Sequence, residues 1–257
     1  MAMKVTTVAN QKGGVGKTTI EVHLVSLAAE QGKRVLVVDL DEGDLSQFYP
    51  PLEDGDDTTY VQSSMLFSDE YKGLYPRQVA ANIWLIEADV PLLDVDDMDL
   101  SIVTRLKEAL DHFSADFDLC MIDTPPNLQR RMIAALAASD AVVSPFNISG
   151  FTLARMPKLL STIEAVREQY NPNLQFLGFL PNQINSRSTN EIDLLPSLQE
   201  SYGDAMFPVY IVHRPCINSA LASGNPVWWK AKSGSQRAAG REMKSACAAV
   251  LEKVWSI

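Results

Sequence analysis

Residues 10–19 read Asn-Gln-Lys-Gly-Gly-Val-Gly-Lys-Thr-Thr, and this stretch decides the fold. A phosphate-binding loop has the general pattern G-x-x-x-x-G-K-[ST], in which backbone N–H groups surround the phosphates and the lysine reaches them. The Gly-Lys-Thr at 16–18 supplies the end of the pattern, whereas Gln11 stands where the first glycine is expected. A second lysine, Lys12, lies at the start of the loop. The stretch predicts a nucleoside triphosphate site with one lysine more than the pattern requires.

The segments on both sides of the loop support this prediction. Met3–Ala9 is short, apolar and rich in Val and Thr, which indicates a strand, and Thr18–Glu30 has apolar residues at helical spacing. Strand, glycine-rich turn and helix is the context in which such a loop binds phosphate. Positive φ angles are expected at Gly13, Gly14 and Gly16, because they let the backbone approach the phosphate oxygens closely.

The loop residues have distinct expected roles. Lys17 is expected to reach the β- and γ-phosphates of ATP, and the Thr18 hydroxyl to bind Mg²⁺. The expected nucleotide contacts along the loop are Lys12, Gly13, Gly14, Val15, Gly16, Lys17, Thr18 and Thr19.

Three aspartates follow predicted strands. Asp39 and Asp41 lie at the end of the strand Arg34–Leu40, and Asp123 ends the apolar strand Phe117–Asp123. Strand carboxyl ends meet at the ligand crevice of an α/β sheet, and an acid there commonly serves the Mg²⁺ shell beside a phosphate loop. Asp39 and Asp41 are expected to point the same way, so one can hold Mg²⁺ through water and the other can orient an attacking water. Helix capping and a simple turn are the alternatives for these acids.

Strand and helix patterns alternate along all 257 residues, of which 46% are hydrophobic. Continuous apolar strands separated by helices predict a mostly parallel, twisted sheet with helices on both faces, in a single domain over 1–257. The further predicted strands are Ile83–Glu87, Ala141–Pro145 and Leu174–Pro181. The further predicted helices are Leu100–Phe113, Leu128–Ala138, Leu153–Tyr170, Glu191–Tyr202 and Ser235–Trp255. Acidic loops are predicted at Glu53–Asp57 and Asp94–Asp99, with no assigned role.

Charge is unevenly distributed in this chain of net charge −10. Residues 1–128 hold 9 basic and 23 acidic residues, whereas residues 129–257 hold 13 and 9. Residues 206–244 contain six basic residues and a single acidic residue, Glu242. A local basic patch can bind nucleic acid in an acidic protein, and a solvated helix face is the alternative.

Several classes of protein are disfavoured by the composition. The sequence contains no run of 18 apolar residues, so it predicts no membrane span. A strand at the start of the chain leads us to expect no signal peptide. The cysteines Cys120, Cys216 and Cys247 are far apart and lack metal-ligand spacing, which argues against an iron–sulfur enzyme. Packing in a reducing cytosol is the expected role of Cys120 and Cys247.

Taken together, these motifs resemble the ParA/MinD group of deviant P-loop ATPases over nearly the whole chain, and are most similar to the short ParA partition ATPases. The loop 12–19 resembles the deviant loop with its signature lysine. The segments 37–41 and 120–126 resemble the two switches of the group. Gly224-Asn-Pro-Val227, with Lys232-Ser233 and a closing helix, is similar to the C-terminal part of the ParA branch.

This resemblance implies a homodimer that encloses ATP, in which Lys12 contacts the nucleotide of the partner subunit. It implies that Asp41 positions the hydrolytic water, that Asp39 and Asp123 serve Mg²⁺, and that Asn182 contacts adenine. It also implies DNA binding without sequence preference, stimulation of ATP hydrolysis by a ParB-like adaptor, and a cytoplasmic, nucleoid-associated protein that moves a plasmid or chromosome cargo. The predicted DNA-binding residues are Arg187, Arg214, Lys230, Lys232, Arg237 and Arg241.

One departure and several alternatives remain open. ParA-like first switches often continue Asp-Pro-Gln, whereas Glu42-Gly43-Asp44 follows Asp41 here. A MinD-like membrane-cycling ATPase needs an amphipathic anchor in the last helix, Arg241–Ile257, for which core packing is the other interpretation. No stable membrane association is therefore expected. A small-molecule ligase or kinase of the same fold and a nucleotide-dependent scaffold without catalysis are further alternatives.

Overall fold

A seven-stranded sheet forms the centre of the protein in the computed structural model, which describes residues 2–41, 45, 48–49, 60–149 and 153–257. The strands are β1 Lys4–Val8, β2 Val35–Asp39, β3 Arg77–Ala80, β4 Ile83–Ile86, β5 Leu119–Asp123, β6 Ala141–Phe146 and β7 Gln175–Pro181. Their order is β3-β4-β2-β5-β1-β6-β7, and every neighbouring pair is parallel except β3–β4. The predicted mostly parallel α/β fold is confirmed.

Helices cover both faces of this sheet. In the described parts of the chain the α-helices are α1 Lys17–Glu30, α2 Arg105–Phe113, α3 Arg130–Ala138, α4 Met156–Gln169, α5 Thr189–Tyr202, α6 Pro215–Leu221 and α7 Gly234–Ser256. Residues of α1, α6 and α7 share one hydrophobic cluster, and residues of α2, α3 and α4 form the clusters of the opposite face. Strand β2 contributes to both, with Val35 and Val37 on the α1 face and Leu36 and Val38 on the other. Burial on both faces explains why the strands read as continuous apolar runs.

Some elements differ from the sequence-based expectations. The edge strand β3 and the short helix α6 were not predicted, because a short polar strand and a seven-residue helix have weak periodic patterns. The acidic segment Asp94–Asp99 was predicted as a loop, but most of it belongs to a 3-10 helix, Val90–Asp97. Leu100–Phe113 is divided into a 3-10 helix, Leu100–Thr104, and α2. The predicted loop Glu53–Asp57 lies outside the described residues. The segment 42–44, where the sequence departs from ParA-like first switches, also lies outside them.

The last helix packs against α1 and does not present a free apolar face. Val250, Leu251 and Val254 are buried in the cluster that α7 shares with α1. Trp255 and Ile257 pack against the same cluster, and the Lys33 ammonium lies 5.1 Å from the Trp255 ring centroid. These apolar residues therefore serve the core, as the core-packing interpretation expects. Over the described residues no helix is both long enough and apolar enough to cross a membrane.

His23 joins α1 to the segment that precedes α7. Its Nδ1 lies 2.6 Å from the Thr19 carbonyl oxygen, and its Nε2 accepts a hydrogen bond of 3.1 Å from the Val227 amide. The carbonyl contact therefore places the proton of the neutral ring on Nδ1. Burial lowers the pKa of His23 to about 4, with the Thr19 hydrogen bond acting in the opposite direction.

We predict that His23 makes the protein lose stability in mild acid. The unfolded chain binds a proton at an ordinary histidine pKa of about 6.5, whereas the folded chain does so only near pH 4, so stability falls as pH decreases between these values. The loss of unfolding free energy between pH 7 and pH 5 should be smaller by about 2 kcal/mol in His23→Asn than in the original protein. Urea unfolding at both pH values measures it. The exposed His213→Asn variant is the control, and equal losses in all three proteins would contradict the prediction.

Candidate functional site

The phosphate-binding loop connects β1 to α1 at the carboxyl edge of the sheet. Gly14 has φ 74° and Gly16, the residue that caps α1, has φ 89°, as expected for a loop that turns its N–H groups inward. Gly13 is not among the positive-φ glycines, so the expectation for it was wrong. α1 begins at Lys17, which is buried. The free N–H groups at the start of a helix and the loop amides form an anion site.

Asn182 stabilises this loop through a hydrogen bond to its backbone. It follows β7, is 3% exposed, and its Nδ2 donates a hydrogen bond of 2.8 Å to the Val15 carbonyl. A Cβ atom at Gly16 would lie 2.4 Å from the same Nδ2, so only glycine allows this close approach. The structure therefore places Asn182 at the predicted nucleotide site, where it holds the loop. Its contact with adenine stays a prediction.

The three residues predicted to serve Mg²⁺ lie together. The Thr18 hydroxyl donates a hydrogen bond of 2.5 Å to Asp123 Oδ2. Asp39 and Asp123 are register partners in the parallel pair β2–β5, and both side chains are buried. Two neighbouring parallel strands thus end in carboxylates beside the first turn of α1.

The electrostatics of these acids indicate a missing positive charge. Burial, and then the nearby Asp123 carboxylate, raise the pKa of Asp39 to about 7. Burial raises the pKa of Asp123 to about 6, while the Thr18 hydrogen bond and the Lys17 charge act against this rise. Asp39 Oδ1 accepts a hydrogen bond from the Asp41 amide, but its Oδ2 is buried and has no hydrogen-bond partner in the described structure. A buried carboxylate oxygen without a partner is a costly arrangement that a cation would relieve.

The donor set fits Mg²⁺ held partly by water and phosphate. Mg²⁺ prefers oxygen ligands and keeps several waters, so one or two protein oxygens suffice when phosphates are present. Thr18, Asp39 and Asp123 supply hydroxyl and carboxylate oxygens at this edge. No group of three or more His, Cys, Asp or Glu side chains among the described residues could enclose a metal ion. The site therefore suits a nucleotide-bound cation and not an all-protein metal cage.

Glu21 is a buried acid that the sequence analysis did not identify. It lies one turn after Lys17 on α1, is 0% exposed, and neither carboxylate oxygen has a hydrogen-bond partner in the described structure. Burial, followed by the charges of Asp123 and Asp39, holds the pKa of Glu21 well above its ordinary value, and Lys17 acts in the opposite direction. Periodicity places position 21 on α1 but does not reveal that it faces the sheet next to two other acids.

Asp41 is one of the residues that line a cleft of about 580 Å³. It is partly exposed, in contrast to the buried Asp39 two residues earlier. Asp97, Pro125, Asn127 and Arg131 line the same cleft. This position gives Asp41 access to solvent next to the predicted phosphate site.

A buried ion pair fixes one wall of this cleft. Arg131 Nε lies 2.6 Å from Asp96 Oδ2, and Arg131 Nη1 donates a hydrogen bond of 2.9 Å to the Leu40 carbonyl. Asp96 also accepts from the Arg131 amide at 3.1 Å. The acidic segment thus has a structural role: Asp96 joins the 3-10 helix to Arg131 of α3, and Arg131 in turn binds the residue before Asp41.

The second lysine of the loop contacts the segment after β6 in its own chain. Lys12 Nζ donates to Ser149 Oγ at 3.0 Å and to Asn147 Oδ1 at 3.3 Å. Asn147 Nδ2 in turn donates to Gln183 Oε1 at 3.2 Å. The Lys12 ammonium therefore contacts the segment after β6, whereas Thr18 contacts Asp123.

The predicted DNA-binding residues lie in two regions. An isolated bridge between Ile184 and Val212 brings the segments of Arg187 and Arg214 side by side. Arg187 is exposed. By contrast, both terminal guanidinium nitrogens of Arg214 donate to the Glu242 carboxylate, and the bond from Nη2 to Oε1 is 2.8 Å long. The exposed residues Lys230, Lys232, Arg237 and Arg241 lie at and before the start of α7. Because Glu242 neutralises Arg214, the net positive charge comes mainly from the other five residues.

Comparisons with known proteins agree with this geometry. A family model described as "AAA domain" matches residues 3–176. The protein IncC of Escherichia coli is 33% identical over 256 residues, covering 98% of this chain and 70% of IncC. The chromosome partitioning protein ParA of Caulobacter vibrioides is 31% identical, covering 88% of this chain and 86% of ParA.

A solved structure adds a bound nucleotide and metal to the comparison. Cobyrinic acid a,c-diamide synthase from Mycobacterium smegmatis, with bound ADP and magnesium, superposes with a TM-score of 0.74 and 29% identity. The match covers 86% of this chain and 91% of the synthase.

We predict that neutralising Glu21 stabilises the nucleotide-free protein increasingly as pH rises. The folded state retains the Glu21 proton above the ordinary pKa of about 4.5, so its relative stability is lost as pH increases from that value through the raised pKa. Glu21→Gln should therefore gain unfolding free energy over the original protein at pH 8, and much less at pH 5.

Denaturant unfolding without nucleotide at both pH values measures this difference. Glu168→Gln, which removes an exposed acid from α4, is the control and should change stability little at either pH. A Glu21→Gln effect that is independent of pH would show that Glu21 titrates normally.

Proposed function

Because the chain belongs to the ParA-type P-loop ATPases, we propose that it is the ATPase of a DNA partition system. ATP closes two copies into a dimer that binds DNA without sequence preference, and hydrolysis, stimulated by a ParB-like adaptor, releases it. The cargo is a plasmid or chromosome, and the protein acts in the cytoplasm on the nucleoid as one domain over 1–257. The observation that carries this proposal is the contact of Thr18 with Asp123 beside the phosphate loop, together with a second loop lysine that contacts Ser149 instead.

Phosphoryl transfer requires positioning and charge neutralisation more than covalent chemistry. The loop amides and Lys17 hold the phosphates, and Thr18, Asp39 and Asp123 would hold Mg²⁺ directly or through water. When bound, Mg²⁺ would supply positive charge that neutralises the phosphate oxygens. Asp41, which lines the cleft and is partly exposed, accepts a hydrogen bond from the attacking water.

Lys12 supplies the positive charge that one subunit alone lacks. Its ammonium donates to Asn147 and Ser149 of its own chain, and in the dimer it exchanges these contacts for phosphate oxygens. A charge-assisted hydrogen bond to phosphate is stronger than one to a neutral oxygen. In the dimer, Lys12 binds the nucleotide of the partner subunit, which makes ATP a dimerisation signal.

Two other functions have less support. A membrane-cycling ATPase of the MinD type would need the apolar residues of α7, which are buried against α1. A ligase is suggested by the synthase structure, which shares the nucleotide-binding fold. The partition function is favoured over it by the named relatives IncC and ParA and by the exposed basic residues before α7.

DNA retention provides the direct test of the proposed function. We expect the protein to bind unrelated DNA duplexes with similar affinity when ATP is present, and much more weakly with ADP or without nucleotide. Equal retention in all three states would contradict the proposal.

Lys12→Ala should abolish the ATP-dependent dimer while leaving the monomer folded and able to bind nucleotide. Light scattering with a non-hydrolysable ATP analogue measures the mass, and fluorescence titration measures nucleotide binding. Lys158→Ala, which removes an exposed lysine from α4, should dimerise normally. If Lys12→Ala still forms the dimer, Lys12 has no role across the interface.

Asp41→Ala should retain the ATP-bound dimer and reduce hydrolysis by about 100-fold, because the water loses the group that orients it. Phosphate release under single-turnover conditions measures this rate. Asp97→Ala removes another acid from the same cleft and should hydrolyse ATP at close to the original rate. Unchanged turnover in Asp41→Ala would remove Asp41 from the mechanism.

A further inference from the structure

A tryptophan is exposed among the basic residues that precede α7. The segment reads Trp228-Trp229-Lys230-Ala-Lys232, and 54% of the Trp229 surface is exposed to solvent. Exposing a large aromatic side chain to water is unfavourable relative to burying it. The protein therefore forgoes stabilisation at this position, and a binding partner can recover it.

The backbone next to Trp229 is held firmly against α1. The Trp228 indole Nε1 donates a hydrogen bond of 2.6 Å to Glu30 Oε1, and its ring meets the His23 ring edge-on at 5.2 Å between centroids. Val227 is buried, and its amide is bound by His23. These contacts fix the two residues before Trp229, so the exposed indole projects from an ordered base.

A second set of contacts comes from α7. The Lys244 ammonium lies 4.9 Å from the Trp228 ring centroid and 2.9 Å from Glu30 Oε2. Gly240 approaches so closely that an added Cβ would lie 3.0 Å from the Trp228 Cβ. Trp228 is thus enclosed by α1 and α7, whereas its neighbour Trp229 faces solvent.

Positive charge surrounds the exposed ring. Lys230 has φ 45°, and its ammonium lies 5.5 Å from the Trp229 ring centroid. The Arg237 guanidinium donates a hydrogen bond of 2.9 Å to the Lys232 carbonyl, which joins the start of α7 to the segment that follows Trp229. The acids of this region, Glu30 and Glu242, are paired with Lys244 and Arg214. Trp229, Lys230, Lys232 and Arg237 together are called the tip. The tip therefore combines an aromatic surface with cations, and it suits a polyanion that also offers flat apolar groups.

We propose that Trp229 contacts DNA directly, its indole packing into the minor groove against sugars and base edges while Lys230, Lys232 and Arg237 neutralise the adjacent phosphates. This inference rests on the proposed function and adds an aromatic contact to its basic residues. Apolar wedges in the minor groove and stacking on aromatic rings both tolerate any base sequence, as sequence-independent binding requires.

A membrane surface is a less suitable partner for this tip. Binding in the lipid interface requires a wide apolar face, but Val227 and Ile217 are buried, and Trp228 is partly buried in contacts with α1 and α7. A single exposed indole provides little apolar area for insertion. DNA requires no more than one such side chain together with the cations that surround it.

The test separates the indole contact from the charge contacts by their dependence on salt. With a non-hydrolysable ATP analogue and labelled duplex DNA, Trp229→Ala should weaken binding about 10-fold at every salt concentration without changing the slope of log K against log salt. Trp229→Phe should retain most of the affinity. Lys232→Ala should make the slope shallower by about 1.

Two controls exclude indirect effects. Trp229→Ala should form the ATP-dependent dimer normally, and Tyr75→Ala, which removes an exposed aromatic next to β3, should bind DNA normally. DNA should quench tryptophan emission in the original protein and quench it less in Trp229→Phe.

Several outcomes would overturn the inference. An unchanged DNA affinity in Trp229→Ala would overturn the inference and leave the proposed function intact. If the original protein binds no DNA, the proposed function itself is removed. Loss of the dimer in Trp229→Ala would make the effect indirect. Pelleting with anionic vesicles that depends on Trp229, with unchanged DNA affinity, would assign the tip to a membrane surface.

Discussion

The hydrogen bond from Thr18 to Asp123 depends on the order of three parallel strands, and the rest of the site depends on it. Strand β5 lies between β1 and β2, so Val8 and Asp39 are both register partners of Asp123. The chain leaves β1 for the phosphate loop and returns in α1, whose first turn places the Thr18 hydroxyl 2.5 Å from Asp123. A different strand order would separate the loop from both carboxylates. The sheet topology, and not any local motif, therefore assembles the nucleotide edge.

This arrangement concentrates negative charge in a place where water cannot solvate it. Asp39, Asp123 and Glu21 are buried on the α1 side, and Lys17 is the cation that acts on two of them. Raised pKa values are the physical consequence, since burial penalises the charged form of each acid. A bound divalent cation reverses this preference, because it stabilises the ionised carboxylates. Burial of the acids thus lowers the stability of the empty protein and favours the loaded state.

Sequence patterns predicted the elements whose information is local. The loop 12–19, the acids at strand ends and the apolar parallel strands follow from residue spacing, and the structure brings Thr18, Asp39 and Asp123 together as expected. Contacts between distant segments could not be predicted in this way. In the sequence, Asp96 lies in a predicted acidic loop and Arg131 lies near the start of a predicted helix, yet the two form a buried ion pair. Asn182 contacts the phosphate loop at Val15, from which it is 167 positions away in the sequence. His23 and Glu21 have no visible signal, because helical spacing alone does not identify the neighbours of a buried face.

Helix α1 also connects the nucleotide edge to the basic surface. Its first turn carries Lys17 and Thr18, its second turn carries His23, and its last residue is Glu30. His23 binds the Val227 amide, and Glu30 binds the Trp228 indole, so two side chains of one helix hold the segment before α7. A helix is stiff along its axis over this length because its backbone hydrogen bonds are continuous. Any displacement of α1 at the phosphate loop must therefore either move residues 227–228 with it or break these two hydrogen bonds. The first of these hydrogen bonds is buried, at 3.1 Å, and the second is 2.6 Å long, so α1 forms a direct structural connection between the phosphate loop and the segment that carries Trp229.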